Sequence, residues 1–429
     1  MADRDAATVS RGPVSDYFAK TSGVSYNAKL YIVHFMLMAF RIGAWDVAFS
    51  LYLLDQGFSA TFVGARIFVQ WFSIAVLALF AGRLCDKIGR RPSFIIGDGL
   101  GAFLSIFLAF VLNAPLLIVL SVMAGVFAAI HMVAEDPWMM ENSENHERVY
   151  LFSIVQGAGR IAIMVGALAA GLIPVALAAD GHVSAGAYRV ALLLGSAIWF
   201  VSLVPAFMFR ERQDILKSLR SERGFSFRNL QSSSFIYRIL PIYVFYWLGV
   251  GLIHPLHNVF FAEKFDASVD EVGIIIMVGG MSMAFGSFVV PVIAEKLGRM
   301  RTVTYTLVAA APFSASVFLA PSLLIAGVFF FFHELTMHVC LPILRAFTME
   351  NVETRERATV SGMTVAMHWG GLGIGALFAG VLMDRGLWNM LLMPLVGMFL
   401  ITIFLSLTLF RGDSVRRWRQ VPTLAGESR

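Results

Sequence analysis

Several ionisable side chains of this sequence stand inside long apolar runs, at separations that match the turn of a helix. Glu334 and His338 are four residues apart, and residues at that separation share one helix face. His254, His257 and Asn258 follow the same rule, with separations of three and four residues. Imidazole and carboxylate groups together suit first-row divalent metal ions. The spacing therefore predicts a metal site formed by His257, Glu334 and His338.

Other charged residues lie in the same apolar context. A charge at the centre of a bilayer costs about 2.5–3.5 kcal/mol on insertion scales, so each is expected to have a partner or a role. A structural alternative stays open, in which Arg41, Asp46 and Arg160 pair within one bundle while His34 and His368 are hydrogen-bonded core residues. The full set of candidate substrate- or proton-binding residues is Arg41, Asp46, Glu135, Asp136, Arg160, His254, His257, Asn258, Glu334, His338 and Arg345.

The composition indicates what surrounds these residues. Of 429 residues, 58% are hydrophobic and 14% are charged, and the mean hydropathy is +0.75. Soluble domains carry about 25% charged residues, so a bilayer is the environment that suits this chain. The two cysteines, Cys85 and Cys340, are too few for a disulfide framework and are expected to be buried apolar side chains. We therefore predict an all-α integral membrane protein.

Twelve apolar stretches are long enough to cross a bilayer as helices, which rise about 1.5 Å per residue. The polar start of the chain lacks the pattern of a signal peptide, so the first span is expected to stay in the membrane. The predicted spans are 29–54, 60–81, 92–112, 115–139, 149–176, 187–209, 237–262, 270–292, 302–319, 321–349, 357–383 and 387–410. The predicted divisions are a cytoplasmic tail at 1–28, a six-helix bundle at 29–209, a cytoplasmic linker at 210–236, a second six-helix bundle at 237–410 and a cytoplasmic tail at 411–429.

The distribution of basic residues supports this topology. With both termini in the cytoplasm, 26 of the 33 Lys and Arg residues fall in cytoplasmic tails and loops, as the positive-inside rule requires. The net charge of +5 is then explained by the membrane topology, and no nucleic-acid partner is expected. The lipid bilayer is the expected partner, and the location is a prokaryotic cytoplasmic membrane or an internal membrane derived from it.

The sequence repeats itself at a constant offset of 209 residues. Residues 141–148, ENSENHER, recur as 350–357, ENVETRER, and residues 86–90, DKIGR, recur as 295–299, EKLGR. The segment GALAAG at 166–171 recurs as GALFAG at the same offset. Six spans separate the two copies, and an even number gives both halves the same orientation. The fold is therefore predicted to be two parallel-repeat six-helix bundles.

The loop between spans 2 and 3 reads GRLCDKIGRR from Gly82 to Arg91, and it resembles the signature loop of the major facilitator superfamily. Only Cys85 departs from the usual alanine. The resemblance implies two bundles that rock about a central cavity lined mainly by spans 1, 4, 7 and 10. Segments 137–143 and 249–261 extend the resemblance to magnetosome-membrane iron transporters.

Acids and arginines recur together at the predicted cytoplasmic face of both halves. Orientation of the chain needs basic residues but no acids, so their joint repetition predicts a charge network that holds the outward-open state. Asp136 and Arg345 also occupy equivalent positions 209 residues apart, which predicts an ion pair between the halves. The predicted cytoplasmic gate consists of Asp86, Arg90, Glu141, Arg148, Glu295, Arg299, Glu350 and Arg357.

The sequence favours a secondary transporter over an enzyme. It contains no nucleophile–base set and no Walker A motif, so catalysis and ATP-driven transport are not expected. No cofactor is expected, and the protein is expected to be a monomer. The predicted function is proton-coupled transport by alternating access, with a divalent cation such as iron as substrate. A small organic anion or amphipathic drug is the alternative substrate, and a non-transporting membrane scaffold or sensor is the alternative function.

Overall fold

A computed structural model describes residues 25–143, 148–178, 183–211, 231–338, 340–352 and 356–410. These residues form fourteen α-helices and two short 3-10 helices, at His254–Leu256 and Trp388–Leu391, and no strand occurs among them. The α-helices are α1 (Tyr26–Asp55), α2 (Ala60–Ile88), α3 (Arg90–Leu108), α4 (Ala114–Glu141), α5 (Arg148–Ala176), α6 (Ala185–Met208), α7 (Ser233–Gly251), α8 (His257–Phe265), α9 (Val269–Leu297), α10 (Arg299–Leu319), α11 (Leu323–His338), α12 (Cys340–Glu350), α13 (Arg357–Asp384) and α14 (Leu392–Leu409).

The helices confirm the predicted all-α membrane architecture of twelve spans. Within the described part of the chain, eleven segments are long and apolar enough to cross a membrane, and the 29-residue helix α9 takes the place of the remaining span. Two predicted spans are each built from two helices. Span 7 consists of α7 and α8, and span 10 consists of α11 and α12.

The parallel repeat is visible in the helix bounds themselves. Helix α2 covers 60–88 and α9 covers 269–297, which is the same interval displaced by 209 residues. Between each of these helices and the next, a single glycine makes the turn, Gly89 with φ 105° and Gly298 with φ 88°. Positive φ is open to glycine at little cost. The repeated glycine therefore lets each pair of helices follow one another without a loop.

Each half packs as its own bundle. In the first bundle, α1 packs on α5 and α6, and α2 packs on α4. In the second bundle, α7 packs on α13 and α14, and α10 packs on α11. Cys85 and Cys340 are both buried, as expected for small apolar side chains.

The two bundles meet along α2 with α13 and along α5 with α9. Glycines allow these helices to approach closely: a Cβ atom on Gly64 would lie 2.5 Å from the carbonyl oxygen of Ala376, and one on Gly380 would lie 2.4 Å from that of Ala60. On the other side, Gly171 and Gly273 face each other, and a Cβ on either would lie within 3.2 Å of the partner's Cα. Small residues thus set the distance between the bundles.

We call the end of the molecule that carries the connection between α6 and α7 the linker end, and the opposite end the far end. The close glycine contacts involve the halves of α2, α5, α9 and α13 that point to the far end. Contacts of α8 with α1 lie at the same end. The bundles are therefore closed against each other at the far end.

Candidate functional site

A cluster of ionisable side chains lies in the second bundle, where it faces the first. Glu334 of α11 is 3% exposed, and its Oε2 lies 3.3 Å from His338 Nε2, one turn further along the chain. Its Oε1 lies 3.9 Å from Nδ1 of His254. One ligand atom from each of the three residues lies within 4.8 Å of the other two. We refer to His254, Glu334 and His338 as the central cluster.

A break in the helix brings His254 into this cluster. Helix α7 ends at Gly251, a position where α13 leaves no room for a side chain, since a Cβ there would lie 2.7 Å from the carbonyl oxygen of Gly371. Pro255 follows within the 3-10 segment and has no backbone N–H to continue a helix. The chain therefore turns before α8 begins, and His254 and His257 point to different partners.

His257 joins the two bundles and leaves the predicted metal set. Its Nε2 lies 3.5 Å from Oδ2 of Asp46 in α1. The neighbouring Asn258 donates a 2.6 Å hydrogen bond from Nδ2 to the carbonyl oxygen of Asp46, and a longer one to that of Val47. The rings of His254 and His257 lie close together, with centroids 5.4 Å apart, but the two residues contact different acids. The structure brings His254 to Glu334 in place of His257.

The buried arginines of the first bundle do not pair with Asp46. Within the described residues, the Arg160 guanidinium makes its hydrogen bond to Sδ of Met283, at 3.8 Å across the interface, and its charge acts on Glu334. Arg41 stacks between two indole rings, 4.9 Å from Trp45 and 4.4 Å from Trp199. Asp46 faces the second bundle through His257. The predicted alternative of Arg41–Asp46–Arg160 pairing is not seen.

Asp136 and Arg345 face each other's bundle at the linker end. Both side chains are exposed, and their charges act on each other. In the described part of the chain, no ion pair of 4.0 Å or shorter joins them, so the predicted contact is open in this conformation. Glu135 precedes Asp136, is half-buried, and also experiences the charge of Arg345. The linker end thus carries opposite charges that remain separated while the far end is closed.

One pair of the predicted cytoplasmic gate is formed. Arg90 Nε donates to Glu141 Oε1 at 3.1 Å, and this bond joins α3 to the end of α4 within the first bundle. Arg90 also contacts Cys85 Sγ at 3.1 Å, the position at which the loop departs from the usual alanine. Arg299 begins α10. The side chains of the other predicted gate residues, Asp86, Arg148, Glu295, Glu350 and Arg357, lie outside the described part of the structure.

Two further histidines pack in the second bundle. A 2.8 Å hydrogen bond joins Nδ1 of His333 to Oγ of Ser314, as is typical of a histidine in a protein core. His368 lies between two indole rings, with centroids 3.6 Å from Trp247 and 4.7 Å from Trp369. Trp369 continues this stack to Trp71 of α2, at 5.5 Å. An aromatic column therefore crosses the interface between the bundles.

Asp98 is the main charged residue that the sequence reasoning missed. It lies in α3, is 1% exposed, and contacts His34 of α1 and His131 of α4. It is flanked by Gly97 and Gly99, and glycines inside a membrane helix indicate close helix packing. Gly97 does pack closely, since a Cβ there would lie 2.9 Å from the carbonyl oxygen of Phe127 in α4. In the sequence, the indication of this site was an acid between two glycines. Its two histidine partners lie more than 30 residues away, so helix spacing did not connect them to it.

The fold agrees with comparisons to known proteins. The sequence profile of the Major Facilitator Superfamily matches residues 30–376 and 239–426. These matches cover most of the chain, so this protein belongs to the major facilitator superfamily. Among curated proteins, none matches the chain by sequence.

Solved structures of transporters share the fold. The nucleoside transporter NupG superposes with a TM-score of 0.72 over 90% of this chain and 100% of its own, at 14% identity. The human organic anion transporter MFSD10 (TETRAN) gives a TM-score of 0.62, with 13% identity and 88% and 98% coverage. A bacterial homologue of the human lysosomal transporter Spinster, inward-facing and unoccupied, gives 0.65, with 15% identity and 89% and 94% coverage. At these identities the likeness establishes the fold alone.

Proposed function

We propose that this protein is a secondary active transporter that works by alternating access, is coupled to protons and carries a divalent metal cation, with iron among the candidates. The observation that carries the proposal is the central cluster of His254, Glu334 and His338. Its Glu334 is buried, and the segments that carry the cluster are long and apolar enough to cross a membrane. A buried ionisable group in such a place is expected to serve function.

The chemistry of the cluster suits a divalent transition-metal ion. Ligand atoms that hold such an ion at about 2.0–2.2 Å lie roughly 3–3.5 Å apart. The Glu334–His338 separation of 3.3 Å falls in this range, and the Glu334–His254 separation of 3.9 Å needs a small movement. His254 Nδ1 is buried without a hydrogen-bond partner, which leaves a ring nitrogen free to bind. Two imidazoles and one carboxylate are typical ligands for such ions.

Contacts around the cluster suggest how access alternates. His257 and Asn258 hold α8 against Asp46 of α1 on the far-end side of the cluster. Release of these contacts would open a path from the far end, while closure around Asp136 and Arg345 would seal the linker end. Substrate or proton binding needs only to favour one of these arrangements over the other.

A small organic anion is the second candidate substrate, and a specific arrangement favours it. Arg66 is buried and Arg41 and Arg160 are half-buried in the first bundle, and three guanidinium groups would attract a carboxylate or phosphate. The aromatic column of Trp71, Trp369 and His368 offers a surface for a planar group. The cation remains the first choice because these arginines already stack on aromatic rings or contact Met283.

The orientation follows from the distribution of charge. With most basic residues on the linker side, the linker end and both tails face the cytoplasm of a prokaryotic cell, and the structure is open inward. The bilayer is the partner of the outer surface, and the functional unit is a monomer. A non-transporting scaffold on the same fold is the alternative that substrate binding would exclude.

Ligand-dependent thermal unfolding of the purified full-length protein tests the proposal. A ligand that binds only the folded state raises the apparent melting temperature. We expect Mn²⁺ or Fe²⁺ to raise it in the wild type, and Glu334→Gln and His338→Ala to remove the shift. The matched control is Glu271→Gln, which neutralises an acid that caps its own helix through Ser268. A shift with organic anions that disappears in Arg41→Ala would overturn the cation assignment, and no shift with either class would favour the scaffold.

A further inference from the structure

A second ionisable cluster lies inside the first bundle, away from the interface. His34 of α1, Asp98 of α3 and His131 of α4 are 0%, 1% and 5% exposed. His34 Nε2 lies 3.1 Å and His131 Nδ1 lies 2.9 Å from the same carboxylate oxygen, Oδ2 of Asp98. The two imidazole rings stack with centroids 5.8 Å apart. We call these three residues the His–Asp–His triad.

The hydrogen bonds of His34 determine where its protons are. Its Nδ1 lies 2.7 Å from the carbonyl oxygen of Ser202 in α6. A carbonyl oxygen only accepts, so Nδ1 carries a hydrogen. In a neutral imidazole the other nitrogen, Nε2, would then hold a lone pair. This nitrogen lies 3.1 Å from the Asp98 carboxylate, which is an ion-pair distance, although the direction is not that of an ideal hydrogen bond. Two lone pairs pressed together in a dry core are unfavourable. A proton shared by these two atoms removes this repulsion.

A proton on His34 meets this need with no change in the surroundings. The ring then becomes an imidazolium, and Asp98 supplies the buried counter-charge that such a group requires. The second carboxylate oxygen, Oδ1, accepts a 3.2 Å hydrogen bond from Trp199 Nε1. Asp98 thus receives donors from three helices besides its own, and its charge is held in place.

The triad has a connection toward the linker end. His131 and Glu135 are four residues apart on α4, and the charge of Glu135 acts on His131. His131 Nε2 is buried without a hydrogen-bond partner, so this nitrogen is free to exchange a proton. An imidazole can release a proton from one nitrogen as it gains one at the other. Glu135 is half-buried beside the exposed Asp136, which places the end of the path at the opening between the bundles.

We propose that His34, Asp98 and His131 form a proton-binding site in the first bundle, and that His131 and Glu135 connect it to the linker-end opening. One proton is held on His34 Nε2 beside Asp98 Oδ2. A further proton from the Glu135 carboxyl enters at His131 Nε2 as the Nδ1 hydrogen of His131 passes to Asp98, and the reverse transfers return it to Glu135. That this proton drives transport rests on the function proposed above. The proton site is then separate from the substrate cluster, which lies in the other bundle.

The surrounding ionisable groups are few. Tyr31 and Arg41 come from α1 together with His34, and Glu135 comes from α4 together with His131. Helix α6 presents Trp199 and Ser202, which do not ionise near neutral pH, and α3 presents Asp98. Arg41 reaches the triad through Trp199, whose ring it covers at 4.4 Å. Protonation of His34 is therefore balanced chiefly by Asp98.

Nitrogen NMR of histidine-labelled full-length protein in lipid nanodiscs tests the site without any substrate. At pH 7.5 we expect an imidazolium signal, with both ring nitrogens protonated, that disappears in His34→Gln and in Asp98→Asn. His333→Gln is the matched control, because His333 is an equally buried histidine bonded to a serine, and it should leave that signal in place. In His131→Asn, which keeps His34 and Asp98, the signal should persist. A wild-type spectrum with no His34-dependent imidazolium overturns the proposal, as does stoichiometric bound metal that Asp98→Asn removes.

Transport in proteoliposomes tests the coupling separately. In His131→Asn we expect uptake driven by a pH gradient to be lost while exchange of Mn²⁺ without a gradient continues. Gradient-driven uptake equal to wild type in this variant would overturn the coupling role. If the wild type itself exchanges no Mn²⁺, the proposed function has failed, and the NMR result alone decides whether the triad holds a proton.

Discussion

The carboxylate of Asp384 accepts a 2.6 Å hydrogen bond from the backbone N–H of Ala60, and one of 2.8 Å from that of Thr61. Asp384 ends α13 in the second bundle, whereas Ala60 begins α2 in the first. The first N–H groups of a helix have no partner within that helix, so this acid caps a helix of the opposite bundle. The equivalent position in the first bundle, 209 residues earlier, is Val175. Its side chain has no polar group, so it cannot form the equivalent cap on a helix of the second bundle.

Loss of this cap should shift the protein toward a state open at the far end. Removal of a capping side chain costs about 1 kcal/mol, which changes a conformational equilibrium roughly fivefold. We expect Asp384→Ala to add a longer distance between spin labels placed at Asp55 and Ser322, two exposed far-end positions in opposite bundles. The same measurement on Glu271→Ala, which removes a cap within one bundle, should match wild type. Identical distance distributions in all three proteins would contradict the assigned role of Asp384.

A methyl group at Gly64 should disturb the contact between α2 and α13. A Cβ there would lie 2.5 Å from the carbonyl oxygen of Ala376, so the helices must separate, at a typical cost of 1–3 kcal/mol. We expect Gly64→Ala to lower the melting temperature of the purified protein. Gly157→Ala is the control, because nothing lies within 4 Å of a Cβ at that helical position, and alanine favours a helix over glycine by about 1 kcal/mol. A melting temperature for Gly64→Ala at or above that of Gly157→Ala would refute the close-packing argument.

Asp136 and Arg345 should approach each other when the linker end closes. Both are exposed on opposite bundles and interact only at a distance in this conformation. Disulfides need Cα atoms less than about 7 Å apart, so a double cysteine substitution at these positions should cross-link slowly. Addition of Asp384→Ala, which favours the closed linker end, should accelerate cross-linking, whereas addition of Glu271→Ala should not. A rate that is equal in both backgrounds would mean that the two ends do not open and close in opposition.

Glu356 should give the protein a pH-dependent contribution to stability. Hydrogen bonds from Ser232 and from the backbone of Gln231 hold the pKa of this carboxyl below its ordinary value. A depressed folded-state pKa stabilises the fold above the pKa of the unfolded chain, about 4.3 for Glu, and this contribution is lost as the pH falls through the folded value. The difference in melting temperature between wild type and Glu356→Gln should therefore be largest near pH 7 and shrink below pH 5. A difference for Glu356→Gln that does not change with pH would contradict the assignment.

Periodicity and the repeat predicted the fold well because both depend on local sequence. The apolar stretches located every helix, and the constant offset of 209 residues predicted the equal bounds of α2 and α9. The interruptions were harder to foresee. Pro255 marks the break before α8, but the close approach of Gly251 to α13 involves residues more than a hundred positions away, which local sequence does not reveal.

The site was predicted less completely, because it depends on which helix faces meet. Spacing along one helix correctly joined Glu334 to His338, but it could not show that His254 completes the cluster while His257 turns to Asp46. Arg41 has no acid beside it, since Trp45 and Trp199 cover its guanidinium group. Asp98 was missed because its partners, His34 and His131, come from two other helices.

Metal flux into proteoliposomes tests the central claim most directly, that the central cluster carries a divalent cation between alternately opening bundles. A fluorescent chelator inside the vesicles would report entry of Mn²⁺ or Fe²⁺ with wild type, Glu334→Gln and the control Glu271→Gln. We predict saturable uptake that depends on the pH gradient in wild type and control, and none above empty vesicles in Glu334→Gln. Equal uptake with and without the Glu334 carboxylate would contradict the account, as would absence of metal uptake by protein that moves an organic anion.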